Sequence, residues 1–559
     1  MTVPLPLRVA YPLSFLTGLL YWIAFPGIDV WPLAFVALVP LFVALAAQRP
    51  KHGFWLGFTA GFGMTITGFY WLSYTLEVFS GFPLPLRWLF QAILCGYQAG
   101  RIGLFGWLAT RGEQRGWGRG VALALGFAAS ELLFPLLFPW FYGATVHQLI
   151  PLLQVAELGG PIAVSMVLVA VNYLLAELVL ARLEKRPINR RVLGLAAVPI
   201  LATVYGLIRV PMVDARSAAA DKLEVGLVQA NMSLMGKRKK KSEGLSRHLR
   251  ATERLKAQGP LDLVVWSETS VMSPVQEEEV ATALSHFTTK LEVPALFGSV
   301  LVKHVDDARE YVLFNSALLT DRSGKVIGRL DKQLLLAFGE YLPFGETFPI
   351  LYEWSPHSGH FTPGTTYSKP LNLGERRIAV VICYEDVLPG FVNRLMNDGE
   401  PELLANLTND AWFGDSTQPW IHLALAKLRA VEQRKFFVRS TNSGVSAFID
   451  PAGRVISHTQ PFEEETKRAT LRWLKGKTPY TLWGDIPWWL VSALSVGFAF
   501  RYRKLAKKAE PETKTETQAG AGTESPEPAA QPEATPSAEK APIESPAPVK
   551  PGFPKPGGS

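Results

Sequence analysis

The chain has 559 residues, of which 48% are hydrophobic and 19% charged, with a net charge of +8 and a mean hydropathy of +0.15. A positive mean over this length excludes a protein that is a water-soluble enzyme from end to end. Two cysteines, one of them inside a long apolar segment, exclude a disulfide-built scaffold.

Up to about Val210 the sequence is almost continuously apolar. Runs near 9–26, 29–47, 54–78, 86–110, 120–140, 161–182 and 192–210 each approach the roughly 20 apolar residues that span a bilayer. The first run reads as a retained span, not a signal peptide, because a second apolar run follows at once with no small-residue cleavage site between them. Ile486 to Phe500 supplies one more run, for eight spans in all. Arg and Lys alternate by loop. Arg8, Arg49, Lys51, Arg111, Arg115, Arg119, Arg182, Lys185, Arg186, Arg190, Arg191 and the cluster from Arg501 to Lys508 fall on one side. The loops Gly27–Val30, Glu77–Pro85 and Phe141–Gly160 carry almost none. The positive-inside rule then puts both termini in the cytoplasm and the region between spans seven and eight outside. The net charge therefore reads as topology, with no nucleic-acid partner implied. The basic run Lys237–Lys241 is either a solvated loop or a contact for anionic lipid head groups.

Arg101, Glu131 and Glu177 are ionisable residues inside predicted spans. Such charges are costly in a bilayer. They pair with one another, face a head-group cavity, or sit near span ends for structural reasons.

From about Leu223 to Thr478 short strand-like runs alternate with amphipathic helical ones, the pattern of one sizeable α/β domain. Strand candidates are LEVGLVQAN, LDLVVWSE, PALFGSVLV, FNSALLTD, RRIAVVICY, PELLANLT and the hairpin FFVRSTNSGVSAFIDPAGRVI, with its turn at Asp450–Gly453. Helix candidates are Ser242–Gln258, Gln276–Leu291 and Trp420–Arg434. The domains expected are a seven-span membrane part, 1–212, a catalytic domain, 222–478, a last helix, 483–502, and a tail, 509–559. The tail is too rich in Pro, Ala, Glu, Thr and Ser to bury a core and should be disordered.

Three residues of this domain stand just past strand runs: Glu268 after LVVW, Lys332 after the second strand of a hairpin, in GRLDKQ, and Cys383 after IAVVI. An acid, an amine and a thiol at strand ends converge at one edge of a sheet, where strands fix the geometry and loops leave access. The three types make an acyl-transfer unit. Glu268 serves as base, Cys383 as nucleophile and Lys332 as stabiliser of thiolate and oxyanion, with a backbone N–H just after Cys383 as the second oxyanion donor. The pair His357 and His360 has a metal-compatible spacing but no acidic or thiol partner nearby, so no metal or cofactor is implied.

These residues resemble the nitrilase (carbon–nitrogen hydrolase) superfamily, which uses Glu, Lys and Cys in this order. VVWSETS, LDKQ and VVICYED match its three motifs, and GEYLPFGE, FTPG, NLTNDAWFG and RAVEQRKFFVRSTNSGVSAFIDPAGR fit as well. Seven spans before such a domain and one after look like the apolipoprotein N-acyltransferase family. The resemblance implies a four-layer α-β-β-α sandwich inserted between the seventh and eighth helices of the bundle. It implies transfer of an acyl chain from a phospholipid, through a Cys383 thioester, to the α-amino group of the diacylglyceryl-cysteine of a lipoprotein in the bacterial inner membrane. It also implies supporting roles for Glu340, at the oxyanion or acceptor, for Tyr384, through its N–H, and for Glu385, in orienting Lys332. The sequence departs from the family at Ala337, where a proline is usual, and in MSLMGKRKKK, which lacks the usual tryptophan. Two other readings stay open: a membrane-bound amidase or nitrilase using water, and a transporter or receptor with an external binding module.

Overall fold

The computed structural model describes residues 3–232, 241–304, 311–355, 358–365 and 369–501. The loop segment 233–240, which carries most of the basic run and of the departing loop, lies outside them, as do His357 and the tail 509–559.

Up to Ala218 the described residues form helices and their connections. Leu7–Ala24, Ala156–Leu183 and Arg190–Ala218 are long and apolar enough to cross a membrane; Trp31–Leu45 and Ile486–Phe500 are apolar but shorter. Two of the predicted runs are broken by proline. The run 29–47 divides into Trp31–Phe35 and Val39–Leu45, each with a proline in its first turn, where the missing N–H costs no hydrogen bond. The run 120–140 stops at Leu133, because Pro135 drives Phe134 out of the helical region to ψ 120°.

The helices Pro50–Gly68 and Leu84–Gln114 pack backbone to backbone along a stripe of small residues. A Cβ on Gly53 would lie 2.6 Å from Gly106 O, one on Gly57 2.1 Å from Ile102 O, and one on Gly61 2.8 Å from Ala99 O. Glycine at every fourth position lets carbonyls and Cα atoms approach where side chains would hold the helices apart.

The three charged residues of the predicted spans are paired. Arg101 donates to Trp140 O at 2.7 Å and to Glu131 Oε1 at 3.4 Å, with its guanidinium 3.4 Å above the Trp140 ring. Glu131 Oε1 also accepts from Tyr142 N at 2.7 Å, so this pair fastens the irregular segment that follows Leu133. Glu177 pairs with Arg186 at 2.5 Å.

The second half folds as two sheets. The strands are β1 Lys222–Gln229, β2 Leu263–Val265, β3 Val271–Gln276, β4 Ala295–His304, β5 Tyr311–Thr320, β6 Val326–Asp331, β7 Leu371–Leu373, β8 Arg376–Ile382, β9 Leu403–Thr408, β10 Phe437–Thr441, β11 Ala447–Ile449, β12 Val455–His458 and β13 Glu465–Arg472. One sheet runs β13-β1-β2-β4-β5-β6, with β3 on β4; the other runs β12-β11-β10-β9-β8-β7. Alternation along each strand assigns its two faces. Val225, Leu227, Val265 and Leu319 meet Ile378, Val380, Leu407 and Val438 between the sheets. Val264 and Phe297 face Leu255, Leu284 and Phe287 of the helices Lys241–Lys256 and Val280–Leu291. Val381, Leu404 and Phe437 face Leu395 and Leu423 of the helices Pro389–Gly399 and Gln418–Ala426. The layers are therefore α-β-β-α.

The strands β3, β7 and β13 have no counterpart in the sequence reading. β7 has three residues, β3 is interrupted by Ser273 and Pro274, and β13 is largely polar, so none makes an apolar run. β13 pairs antiparallel with β1 over its whole length, Gln229 opposite Glu465 and Lys222 opposite Arg472. The chain thus enters and leaves the domain side by side. A buried ion pair joins the domain to the helices: Arg434 donates to Glu157 Oε2 at 2.7 Å, and also to Gln154 Oε1 at 2.6 Å and to Pro451 O of its own domain at 2.8 Å, while Arg209, within the helical half, holds Glu157 Oε1 at 2.6 Å.

Candidate active site

Each of the three predicted residues stands just past a strand. Beyond β2 the backbone stays paired, Trp266 N to Leu296 O and Gly298 N to Ser267 O. A Cβ on Gly298 would lie 2.3 Å from Thr269 N and 2.8 Å from the Glu268 carbonyl carbon. Only glycine admits this approach, which seats Glu268 against β4. Lys332 follows β6, its N–H donating to Asn315 O of β5 at 2.8 Å. Cys383 follows β8 and opens a 3-10 turn, Cys383–Val387, with φ +54°. A non-glycine residue in that left-handed region is held there by its surroundings.

The side chains converge in a buried charged cluster. Lys332 Nζ lies 2.7 Å from Glu340 Oε2 and 3.3 Å from Glu268 Oε1. Asn315 Nδ2 donates to Glu268 Oε1 at 2.7 Å and to Glu340 Oε1 at 2.8 Å, tying the two carboxylates together. Glu340 Oε2 also accepts from Leu336 N at 2.8 Å. Burial alone would lower the Lys332 ammonium, but Glu268 and Glu340 hold it well above its ordinary value. Burial pushes the Cys383 thiol up, Glu268 adds to this, and Lys332 opposes both. The resting cluster thus keeps the thiol protonated beside a carboxylate that can take its proton.

Glu385 does not meet the Lys332 ammonium. Its Oε1 accepts from Gln333 N at 2.8 Å and Leu334 N at 3.0 Å, and its Oε2 from Ile382 N at 2.8 Å. These bonds tie the segment after Lys332 to the strand before Cys383. Burial pushes this carboxyl up to about 7, against the three backbone donors and Lys332.

Cys383 lines two cavities. One, about 740 Å³ of space that includes open solvent, has the charged side chains of Glu268, Lys332 and Glu340 in its wall, with Asn315 and Trp412 among others. An apolar one of about 550 Å³ is walled by Phe25, Phe69, Trp71, Phe138 and Trp140 from the N-terminal helical half and by Tyr384, Phe413, Ile421, His422 and Leu425 from the domain. The sulfur sits where a charged chamber meets an apolar one. Of the histidine pair, His360 stacks on Tyr352 at 3.7 Å.

A second buried cluster, which the sequence reading missed, lies against the cysteine turn. His422, Asp386, Asp410 and Arg439 are each at most 4% exposed and mutually bonded. Asn406 Nδ2 donates both to Cys383 O, at 3.1 Å, and to Asp386 Oδ2. The signal available was Arg439 directly after the apolar run Phe436–Val438 and His422 in an apolar helix, since charge in such places needs a buried partner.

The fold and site define a nitrilase-type α/β domain carried on a helical, apolar N-terminal half. Two family models match: apolipoprotein N-acyltransferase N-terminal domain over residues 17–174, and carbon-nitrogen hydrolase over residues 224–473. The chain is 31% identical over 512 residues to an apolipoprotein N-acyltransferase of Azotobacter vinelandii, covering 89% of this chain and 96% of that one. It is 29% identical over 508 residues to that of Geobacter metallireducens, covering 89% and 96%. Among solved structures it is similar to an amidase from Nesterenkonia sp., at 18% identity and TM-score 0.33, over 45% of this chain and 90% of the other. The chain belongs to the apolipoprotein N-acyltransferase family.

Proposed function

We propose that the protein moves an acyl chain from a phospholipid to the α-amino group of the N-terminal diacylglyceryl-cysteine of lipoproteins, by way of a thioester on Cys383. The observation that carries this reading is the position of Cys383 between a charged chamber and an apolar one walled by the helical half. An acyl chain lies in the apolar chamber with its ester carbonyl at the sulfur. Keeping the chain out of water retains about 0.8 kcal/mol per CH₂, which a soluble enzyme would lose on extracting it.

In the first half-reaction Glu268 takes the thiol proton as Sγ bonds to the ester carbon. Charge that builds on the carbonyl oxygen is met by Lys332 and the Tyr384 N–H. The tetrahedral centre collapses, the lysophospholipid alkoxide leaves, and Glu268 returns the proton to it. In the second, Glu268 accepts a proton from the attacking amine, and the thiolate leaves and is reprotonated as the amide forms. Glu340 fixes Lys332, and Glu385 fixes the backbone between Lys332 and Cys383. No cofactor enters either half.

The same reading has eight spans, both termini cytoplasmic, the domain 222–478 inserted between spans seven and eight on the periplasmic face of the inner membrane, and a cytoplasmic tail. The loop charges support it, as does contact between basic ends: Arg111 Nε donates to Ala499 O at 3.1 Å, and Trp117 Nε1 to Arg501 O. Trp71 and Phe413, 5.0 Å apart, mark the opposite, domain-bearing end.

Incubation with a labelled phospholipid tests the proposal. Wild-type protein forms an adduct that hydroxylamine releases and that passes to a diacylglyceryl peptide, and Cys383→Ala forms none. Label appearing only as free fatty acid would establish a hydrolase instead.

A further inference from the structure

The cluster against the cysteine turn contains a histidine with no room for a neutral ring. His422 Nε2 lies 2.8 Å from Asp386 Oδ1, and Nδ1 lies 2.9 Å from Asp410 Oδ1. A neutral imidazole has one N–H and one bare lone pair, so one of these contacts would set a lone pair against a carboxylate. Imidazolium donates to both. Arg439 closes the ring, Nη1 at 2.6 Å from Asp386 Oδ2 and Nη2 at 3.0 Å from Asp410 Oδ2. With His422 charged, two cations balance two anions. With His422 neutral, one negative charge is left uncompensated where burial makes that costly. Burial and Arg439 both oppose the imidazolium charge, yet the two carboxylates hold His422 above its ordinary value.

The four side chains come from four segments. Asp386 belongs to the turn Cys383–Val387, Asp410 follows β9, Arg439 is on β10 and His422 on Gln418–Ala426. Packing is tight enough that a Cβ on Gly444 would lie 2.1 Å from Asp410 Oδ2. The turn is gripped at two points: Asp386 is bonded to His422 and Arg439, and Asn406 links Asp386 to the Cys383 carbonyl. Cys383 needs such a grip, because its own backbone sits at φ +54°.

We infer that His422 is a positioning residue for Cys383: as a buried imidazolium bridging Asp386 and Asp410, it holds the turn 383–387 in the conformation from which the thiol attacks. The inference rests on Cys383 being the acyl carrier.

The test uses full-length protein in mixed micelles, with His422→Gln, Asp386→Asn and the double variant. One readout is single-turnover formation of the hydroxylamine-labile adduct from a labelled phospholipid. The other is iodoacetamide alkylation of Cys383, followed by peptide mass spectrometry, which needs no lipid. In His422→Gln the amide oxygen must face one carboxylate, and adding Asp386→Asn gives it an N–H instead. His422→Gln slows adduct formation about 100-fold, the scale of a misplaced reacting group, with half-saturation by the lipid changed less than about twofold. The double variant regains about tenfold over the single, the size of a typical coupling between bonded residues. Alkylation follows the same order.

Losses that multiply, a wild-type rate in His422→Gln, or a change in half-saturation alone would overturn the inference; the last would make His422 only a wall of the lipid chamber. If His422→Gln yields no folded protein, the double variant is compared with Asp386→Asn. Equal or higher activity supports the pairing, and a further large loss overturns it. An adduct formed by Cys383→Ala would instead overturn the acyl-carrier reading, and alkylation would still report on His422.

Discussion

The Lys332 ammonium sits 2.7 Å from Glu340 and 3.3 Å from Glu268, so the lysine is shared between two carboxylates and leans on the one that is not the proposed base. The cluster carries one more negative than positive charge when the cysteine is a thiol. Glu340 therefore helps keep Cys383 protonated as well as fixing Lys332.

Glu340→Gln tests this balance. Removing one negative charge near a buried thiol lowers its pKa, and the midpoint of Cys383 alkylation against pH falls by about one unit or more. An unchanged midpoint would mean that Glu340 does not contribute to the field at the sulfur.

Glu385 gives a pH dependence with a definite sign. Its carboxyl rises from 4.5 to about 7 on folding, chiefly by burial. The unfolded chain ionises first, so the group favours the folded state below about pH 4.5 and loses that contribution as pH rises through about 7. The thermal midpoint of wild-type protein, compared with Glu385→Gln, falls across that window. Transfer moves the opposite way, because only the carboxylate accepts all three backbone N–H groups, and the wild-type rate climbs through about pH 7. Parallel midpoint curves for the two proteins would assign the dependence elsewhere.

Arg434→Ala leaves the buried Glu157 with Arg209 and with the Tyr205 hydroxyl, which also donates to its Oε1. Breaking a buried pair by removing one partner costs about 3–5 kcal/mol. The expected outcome is a lower unfolding midpoint in detergent and easier proteolysis between the helical half and the domain. Digestion patterns identical to wild type would count against the pair as a fastening.

Gly57→Leu puts side-chain atoms where Ile102 O already lies 2.1 Å from a Cβ. The helices Pro50–Gly68 and Leu84–Gln114 must part, and overpacking of this kind costs about 1–3 kcal/mol or more. Folded yield drops sharply, whereas Gly118→Ala, with nothing within 4 Å and φ −61°, leaves it unchanged.

Much of the fold was legible because its signals are local. Long apolar runs mark the helices, and strands β1, β2, β4, β5 and β8 to β12 declare themselves by apolar stretches whose alternate residues fill two layers of core. β13 was illegible because its side chains are mostly polar; only its register with β1 makes it a strand. The helix breaks at Pro135 and Pro40 are not separable from the helical Pro12 and Pro211 by hydropathy, which averages over every proline, although each costs a backbone hydrogen bond in mid-helix.

The sequence by itself determined the inventory: an acid, an amine and a thiol, each just past a strand, in a chain with an apolar N-terminal half. Those facts are written in neighbouring residues. Only the tertiary structure decided that Lys332 is shared by two carboxylates, that Glu385 accepts from three backbone N–H groups, and that His422 lies between Asp386 and Asp410. Such relationships depend on distances across tens of residues and on exclusion of water. Coulomb energy and desolvation are set by those two quantities, and neither is written in the order of the residues.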